Sequence, residues 1–247
     1  MEILIAGESW ITHSTHIKGF DSFTTSAYEE GVHWLKAALE RAGHQVHFMP
    51  NHLVPHKFPT TTGELERYDV VMLSDCGSNT LLLHPDTFAR SKRTPNRLTV
   101  IRDYVAQGGA LLMIGGYMTF QGIEGKARYH GTAVEEALPV VMQPADDRVE
   151  IPNGQRPLPL KVDHPILRGI AGEWPVFLGY NRFTARSEGD LVLKIGDDPF
   201  LVVWDYEKGR SAAFASDCGP HWGPPEYLNW MYHDQFWAQL VKWLAKG

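Results

Sequence analysis

Side chains capable of chemistry are concentrated in four short segments of the 247-residue chain: residues 7–10, 75–79, 115–119 and 217–222. Each segment combines glycine with polar or aromatic residues, and each directly follows an apolar run typical of a buried strand. Ligands of open parallel sheets bind beyond the carboxyl ends of the strands. The four segments are therefore expected to line one cleft.

Nucleophilic catalysis by a cysteine is one chemistry that these segments suggest. Cys76 follows an apolar run, and free backbone amides in the turn after it are expected to lower its pKa, with His221 or His13 as the base. The competing interpretation is a small thiol in a turn, because free cysteine often behaves as a small hydrophobe. That interpretation is favoured more strongly for Cys218. The candidate catalytic residues are Cys76, Tyr117, Asp217 and His221.

A metal-assisted reaction is a second possibility. His13 and His16 approach each other if their segment is helical, and zinc needs three or four nitrogen, oxygen or sulfur donors. Further donors could come from Asp75, Asp217, His221, His233 and Asp234. However, the chain has no H-E-x-x-H or C-x-x-C pattern, and chance clustering among 12 histidines is the simpler explanation. Neither a metal nor another cofactor is therefore predicted.

Binding of a small polar molecule is a third possibility. Aromatic faces beside carboxylates and amides suit sugars and similar ligands. The expected ligand-binding residues are Glu8, Ser9, Trp10, His13, Asp75, Asn79, Gly116 and Trp222. Further candidate cleft aromatics are Phe20, Tyr117, Tyr180 and Tyr227.

The first half of the chain alternates predicted strands and helices. Strands are predicted at residues 3–6, 46–49, 68–74 and 110–114, and helices at 26–42 and 98–107. The glycine at position 43 follows the first helix, as a C-cap glycine would. This alternation predicts a mainly parallel sheet with helices on both faces.

The second half is less regular. Residues from about 139 to 209 are rich in proline and glycine, and they predict an antiparallel β extension from short runs at 158–162, 175–178, 191–195 and 200–204. A last core strand is expected at 211–216, and one long helix at 226–246 with Trp230, Met231, Phe236, Trp237, Leu240 and Leu244 on its buried side. A single domain over residues 1–247 is the simplest organisation.

Composition limits the partners and the compartment. The net charge of -6 gives no reason to expect nucleic acid or an anionic membrane as a partner. Two cysteines are too few for a disulfide framework, and no apolar run approaches the length of a membrane span, so a cytoplasmic protein is expected. The expected partner is a small-molecule ligand or substrate. Tryptophans in the last helix also make a homo-oligomer possible.

Four motifs resemble the class I glutamine amidotransferase-like superfamily. They are the strand and turn at 68–78, the helix and strand at 101–116, the phrase DHPILRGI at 163–170, and the last strand at 209–217. The resemblance is closest to the group described as putative glutamine amidotransferases and to its trehalose-utilisation-like branch. It implies a flavodoxin-like α/β fold with an active site at the carboxyl ends of the strands.

The chemistry of that superfamily is not preserved in this sequence. Its nucleophile elbow reads Gly-x-Cys-x-Gly, whereas residues 115–119 place Tyr117 at the nucleophile and Thr119 at the last glycine. The histidine of the last strand is also missing, with His221 only a few residues later. The standard Cys-His-Glu triad is therefore absent. The sequence predicts a degenerate glutamine amidotransferase-like protein, a hydrolase or amidotransferase of unknown substrate, with the binding protein and the metal-assisted hydrolase as alternatives.

Overall fold

The structure is a computed structural model that describes residues 1–246 and is built around one eight-stranded sheet. Gly247, which ends the predicted domain, lies outside the described residues. The strands are β1 Glu2–Gly7, β2 Ser9–Lys18, β3 Asp21–Glu30, β4 Gln45–Met49, β5 Val70–Ser74, β6 Ala110–Ile114, β7 Val140–Met142, β8 Arg148–Gln155, β9 Pro157–Pro159, β10 Phe177–Asn181, β11 Phe183–Ala185, β12 Asp190–Ile195, β13 Asp198–Tyr206 and β14 Gly209–Phe214. The helices are α1 His33–Arg41, α2 Val54–Lys57, α3 Thr62–Leu65, α4 Ser78–Leu82, α5 Pro85–Arg90, α6 Arg97–Ala106, α7 Ala133–Ala137, α8 Pro225–Leu228 and α9 His233–Leu244, with short 3-10 turns at Ile123–Gly125 and Pro165–Leu167.

Five parallel strands form the half of the sheet that carries the predicted cleft. Their order is β4-β1-β5-β6-β14, which is the flavodoxin-like order 2-1-3-4-5. The central strands β5 and β6 are buried along their whole length, as expected for continuous apolar runs covered on both faces. The predicted fold class is confirmed.

The antiparallel extension predicted for the second half is also present. Strands β13, β12 and β9 continue the main sheet beyond β14, each antiparallel to its neighbour. Within these three strands, prolines occur only in the outermost strand β9 and at the start of β13, where a missing backbone donor costs least stability. Two further antiparallel pairs, β8 with β10 and β7 with β11, lie outside this sheet.

The helices cover the sheet through their apolar sides. Helix α1 packs against α9, while α6 packs against α3, α4 and α7. The predicted inward residues of α6 are all buried, namely Leu98, Ile101, Tyr104 and Val105. Within residues 1–246, no helix has both the length and the apolar character that crossing a bilayer would require.

The helix predicted at residues 26–42 is wrong in its first part. Ser26 to Glu30 belong to strand β3, and α1 begins only at His33. Tyr28, whose spacing from the later apolar residues would place it on the buried face of such a helix, is instead half exposed on the strand. The helical spacing of apolar residues continued by chance across Gly31, where the chain turns. Gly43 does follow the end of α1 in a left-handed conformation, with φ of +85°.

The prediction of a single C-terminal helix at residues 226–246 is also wrong. The chain forms α8 and α9 with a break between them, and Met231 in this break is 80% exposed. Both the backbone and the side chain of Asn229 donate to the Pro225 carbonyl, which ends the first helix. The other predicted buried residues of α9, Phe236, Trp237, Leu240 and Leu244, are in the core.

Strands β2 and β3 form a hairpin that the sequence did not predict. They pair only with each other, and every residue from Trp10 to Glu30 is exposed. This hairpin, residues 9–30, is called the arm below. The metal hypothesis for His13 and His16 fails here, because residues three apart on a strand lie on opposite faces.

Candidate acid–base site

Three carboxylates meet at the carboxyl ends of the parallel strands. Glu8 follows β1, Asp75 follows β5 and Asp217 follows β14. Strands β1 and β5 are neighbours at the point where the strand order reverses, which is the usual ligand position in this topology. His221 lies in the loop after Asp217 and completes the cluster.

The backbone at this cluster is strained. Glu8, Asp75 and His221 have φ values of 48°, 45° and 122°, a region that side chains other than glycine rarely adopt. Such conformations cost about 1–3 kcal/mol each and persist mainly where function requires them. Their presence at three neighbouring polar residues indicates a functional site.

Glu8 is buried and accepts a hydrogen bond from an uncharged donor. Ser74 Oγ donates to Glu8 Oε2 at 2.5 Å, and the Cys218 sulfur lies 3.6 Å from Ser74 Oγ. Burial raises the pKa of Glu8 well above its ordinary value, and the charges of Asp217 and Asp75 raise it further. A Cβ at Gly31 would overlap Glu8 Oε1, so glycine is needed there.

Asp217 and His221 form a carboxylate–imidazole pair. Asp217 Oδ2 lies 3.4 Å from His221 Nδ1, and burial raises the pKa of Asp217 well above its ordinary value. Burial lowers the pKa of His221, so that its ring is neutral at neutral pH. The ring packs against Tyr117 at 4.2 Å and stacks on Trp222 at 4.8 Å. With Nδ1 facing the carboxylate, Nε2 is the nitrogen available to a ligand.

Asp75 occupies the place where an oxyanion would bind in a thiol hydrolase. Its Oδ1 accepts a hydrogen bond of 2.7 Å from the backbone amide of Met118, the residue after the nucleophile position. In acyl transfer such amides stabilise the developing oxyanion. A carboxylate already bound to them blocks that role and repels a second negative charge. Gly116 allows this approach, because a Cβ there would lie 2.7 Å from Asp75 Oδ1.

Tyr117 is held at the rim of the site rather than poised for attack. Its hydroxyl donates to Glu150 at 3.1 Å, and the Arg148 guanidinium lies over its ring at 4.8 Å. Burial, followed by the hydrogen bond to Glu150, raises the pKa of this phenol. Trp222 Nε1 also donates to Glu150, at 3.0 Å, so one carboxylate orients both aromatic groups.

Cys76 does not have the environment that the sequence suggested. Its side chain is fully buried among core residues, and burial raises its pKa to about 12 instead of lowering it. The negative charge of Asp75 acts in the same direction. The predicted activation by backbone amides is wrong, because the side chain packs into the core beside Gly7.

Two other predicted ligand-binding residues, Ser9 and Trp10, lie at the base of the arm. Ser9 is buried, and its hydroxyl accepts from the backbone of Asn51 at 2.8 Å. Trp10 Nε1 donates to Glu29, and its ring lines a cavity of about 260 Å³ between the arm and the body. Ser9 therefore fixes the base of the arm to the body, and Trp10 borders the cavity between them.

The remaining predicted residues are more distant from the acidic cluster. His13 lies along the arm and is hydrogen-bonded to Ser26. Asn79 lies in the first turn of α4 and lines a separate surface cavity of about 830 Å³ beside Met118. Tyr180 is buried, with its hydroxyl donating to Asp198, and belongs to the packing of the β extension.

The sequence missed a buried amide that positions the elbow. Asn181 Oδ1 accepts a hydrogen bond of 2.9 Å from the Gly116 backbone, and Asn181 Nδ2 donates to Asp147 at 2.8 Å. Asp147 in turn accepts from the backbones of Gln121 and Gly122. No sequence pattern identifies these residues, because they lie in the irregular second half and reach the site only through folding.

The cluster also contains atoms that a cation could use. One oxygen each of Glu8 and Asp217 and the Cys218 sulfur lie within 4.8 Å of one another. Glu8 already accepts a hydrogen bond from Ser74 Oγ without an ion. The metal-assisted reaction stays an alternative, to be checked by elemental analysis of protein purified from cells.

The sequence and the fold have relatives. A sequence model of the family described as "Putative glutamine amidotransferase" matches residues 2–246. No functionally curated protein matches the chain. Among solved structures, the cytoplasmic protein STM3548 of Salmonella typhimurium is 46% identical, with a TM-score of 0.96 and coverage of 99% of both chains.

Two further solved structures define the range of similarity. The cytoplasmic protein STM1381 of Salmonella typhimurium LT2 is also 46% identical over 99% of both chains, with a TM-score of 0.95. A ThuA-like protein of Parabacteroides merdae is 13% identical, with a TM-score of 0.59 over 100% of this chain and 90% of that one. At that identity the last similarity shows a shared fold.

Proposed function

We propose that this chain, which belongs to the family described as "Putative glutamine amidotransferase", is an acid–base hydrolase of a small, neutral, polyhydroxylated molecule and does not hydrolyse glutamine. The observation that carries this proposal is the Asp75 carboxylate bound to the Met118 amide, where an oxyanion would otherwise be held. A thiol mechanism needs that amide free. A carboxylate–histidine mechanism does not.

The buried groups suit general acid and general base roles. His221 is neutral because burial lowers its pKa, so it can accept a proton from water, while Asp217 orients its ring. Glu8 is protonated more readily than an ordinary carboxyl group, so it can donate a proton to a leaving oxygen. A carboxyl oxygen of Asp217 lies within 4.8 Å of one of Glu8, the proposed acid. Asp217 therefore lies between Glu8 and the proposed base, His221.

The charge and lining of the site support a neutral ligand. The negative charge of Asp75, which raises the pKa of both Glu8 and Asp217, also disfavours a further anion at this edge of the sheet, including the α-carboxylate of glutamine. Tyr117, partly exposed and packed against the buried Trp222, offers aromatic surface beside these carboxyl groups, a combination that suits hydroxyl-rich molecules. The resemblance to the trehalose-utilisation-like branch agrees with this ligand class.

Glutamine hydrolysis is expected to be absent. Purified wild-type protein and the Cys76→Ala variant should release no ammonia from glutamine above a heat-inactivated control, because Cys76 is buried with a pKa of about 12. Release by wild type that disappears in the variant would contradict the proposal, since it would require a reactive thiol at Cys76.

Ligand binding is expected to depend on Asp217. A thermal-shift and calorimetry screen should compare neutral sugars and polyols with glutamine and with sugar phosphates. Binding of a neutral compound should fall at least about 10-fold in Asp217→Asn, the loss of one charge-assisted hydrogen bond. Glu173→Gln, at an 85% exposed side chain outside the site, is the matched control and should bind normally.

The same screen separates an enzyme from a binding protein. Turnover of the bound compound should be lost in His221→Ala while its binding is largely kept. Binding without turnover in wild type would favour the binding-protein alternative. A preference for anionic compounds would contradict both versions, because the carboxylate cluster would then face an unfavourable charge.

The compartment and partners are part of the proposal. We infer a cytoplasmic location from the two Salmonella relatives, each 46% identical and each described as a cytoplasmic protein. A small-molecule substrate is the proposed partner, with no nucleic acid or membrane. The expectation of a homo-oligomer also remains, but its proposed contact surface moves from the last helix, where Trp237 is buried in the core, to the arm.

A further inference from the structure

We propose that the arm, residues 9–30, joins two copies of this chain in reciprocal, antiparallel contact. The proposal is independent of the reaction at the acid–base site. It depends on the exposure of the arm, on its unprotected edges, and on an apolar cavity at its base that matches the side chain at its tip.

Apolar side chains cover both faces of the arm. Cross-strand pairing places His16 opposite Phe23 on one face, with their rings stacked at 4.6 Å, and Ile11 opposite Tyr28 on the other. Ile17 is 76% exposed, and Phe20 at the tip is fully exposed. A monomer gains nothing from leaving this surface in water, since burial of each large side chain is worth about 1.5–3 kcal/mol.

The arm also lacks the protection that exposed strands normally carry. A two-stranded hairpin is only marginally stable in water by itself, and its outer edges present unpaired backbone donors and acceptors. Proteins usually block such edges with charged residues or proline. Residues 11–17 and 22–28 contain neither, and the nearest charges are Lys18 and Asp21 at the tip and Glu29 at the base. These edges are therefore suited to contact with another chain.

A cavity at the base of the arm matches the tip of a second arm. It measures about 260 Å³ and is lined by Ser9, Trp10, Ile11, Tyr28, Asn51 and His52. This volume has room for a phenyl ring, and the lining is largely apolar. When two arms pack antiparallel about a two-fold axis, the tip of each lies at the base of the other. Phe20 of each copy then fills the cavity of its partner.

The contact area agrees with a stable dimer. Ten residues of strand span about 33 Å and two strands are about 10 Å wide with their side chains, so each face of an arm offers roughly 300 Å². Two arms that each bury both faces, against the other arm and against the partner's body, remove about 1,200 Å² or more from water in total. That area is within the range of specific interfaces, about 1,200–2,000 Å².

Light scattering after size exclusion tests the assembly. The wild-type chain should have the mass of a dimer, and Phe20→Glu should raise the dimer dissociation constant by about 100-fold or more, because two buried rings are lost. Phe88→Glu is the matched control, since Phe88 is also 76% exposed but lies on α5 away from the arm. A wild-type monomer, or a Phe20→Glu variant that dimerises as tightly as wild type, would overturn the proposal.

A crosslink tests the geometry separately. The double variant Phe20→Cys with His52→Cys should form a disulfide-linked dimer under mild oxidation, because the model of contact places these positions together in two different chains. The native Cys76 and Cys218 are buried and should not interfere. A dimer that gives no such link while remaining folded by circular dichroism would overturn the antiparallel arrangement.

Discussion

Glu8→Gln is expected to raise the free energy of unfolding by about 1–2 kcal/mol at neutral pH. Burial and the charges of Asp217 and Asp75 disfavour an ionised carboxylate at this position. Glutamine has the shape of the protonated acid and no charge to desolvate. This increase in the free energy of unfolding should be measurable by urea unfolding, with circular dichroism as the signal.

The pH dependence of unfolding checks the cause. Because the pKa of Glu8 is higher in the folded than in the unfolded state, its favourable contribution is complete below the unfolded pKa of about 4.3. That contribution is lost as the pH rises through the folded pKa. The free energy of unfolding of wild type should therefore fall as the pH rises from about 4.3 through the folded pKa of Glu8. Over the same interval, the difference in free energy of unfolding between Glu8→Gln and wild type should increase.

The control is Glu173→Gln, an exposed change whose curve should follow that of wild type. If Glu8→Gln and wild type give parallel curves at every pH, the raised pKa of Glu8 would be incorrect. A stabilised variant without turnover would instead show that function, and not stability, keeps this carboxyl group in the protein.

Arg97→Ala is expected to lower the free energy of unfolding by about 3–5 kcal/mol. Arg97 is almost completely buried, and its guanidinium donates to the backbone carbonyls of Leu81 at 2.5 Å and Val54 at 3.0 Å, with longer bonds to Pro55 and Thr80. These carbonyls lie in the short helices α2 and α4. Alanine at position 97 would leave these carbonyl oxygens buried without a hydrogen-bond donor, and each unpaired oxygen would lower the free energy of unfolding.

Thermal and urea unfolding measure this effect, with Arg93→Ala as the control at an exposed arginine a few residues earlier. The control should change stability by less than about 0.5 kcal/mol. A cost below about 1 kcal/mol for Arg97→Ala would mean that water replaces the guanidinium at these carbonyls, and would contradict a sealed core at this position.

The sequence by itself determined the parallel half of the fold. Continuous apolar runs such as Val70–Ser74 and Ala110–Ile114 have few alternatives to a buried strand, because any other arrangement exposes them to water. Glycines and polar residues after these runs predicted which side chains meet at one edge of the sheet, since parallel strands bring their carboxyl ends together there. Glu8, Asp75, Asp217 and His221 were all among the predicted site residues.

Only the tertiary structure decided what those residues can do. The direction of the Cys76 side chain into the core, and the bond between Asp75 and the Met118 amide, depend on distances between segments some 40 residues apart. The arm shows the same limit: residues 21–30 have no local signal strong enough to distinguish strand from helix, and their pairing with residues 9–18 settles it. Local patterns report burial, whereas the pKa of a group and the partner of an amide depend on neighbours that only folding brings together.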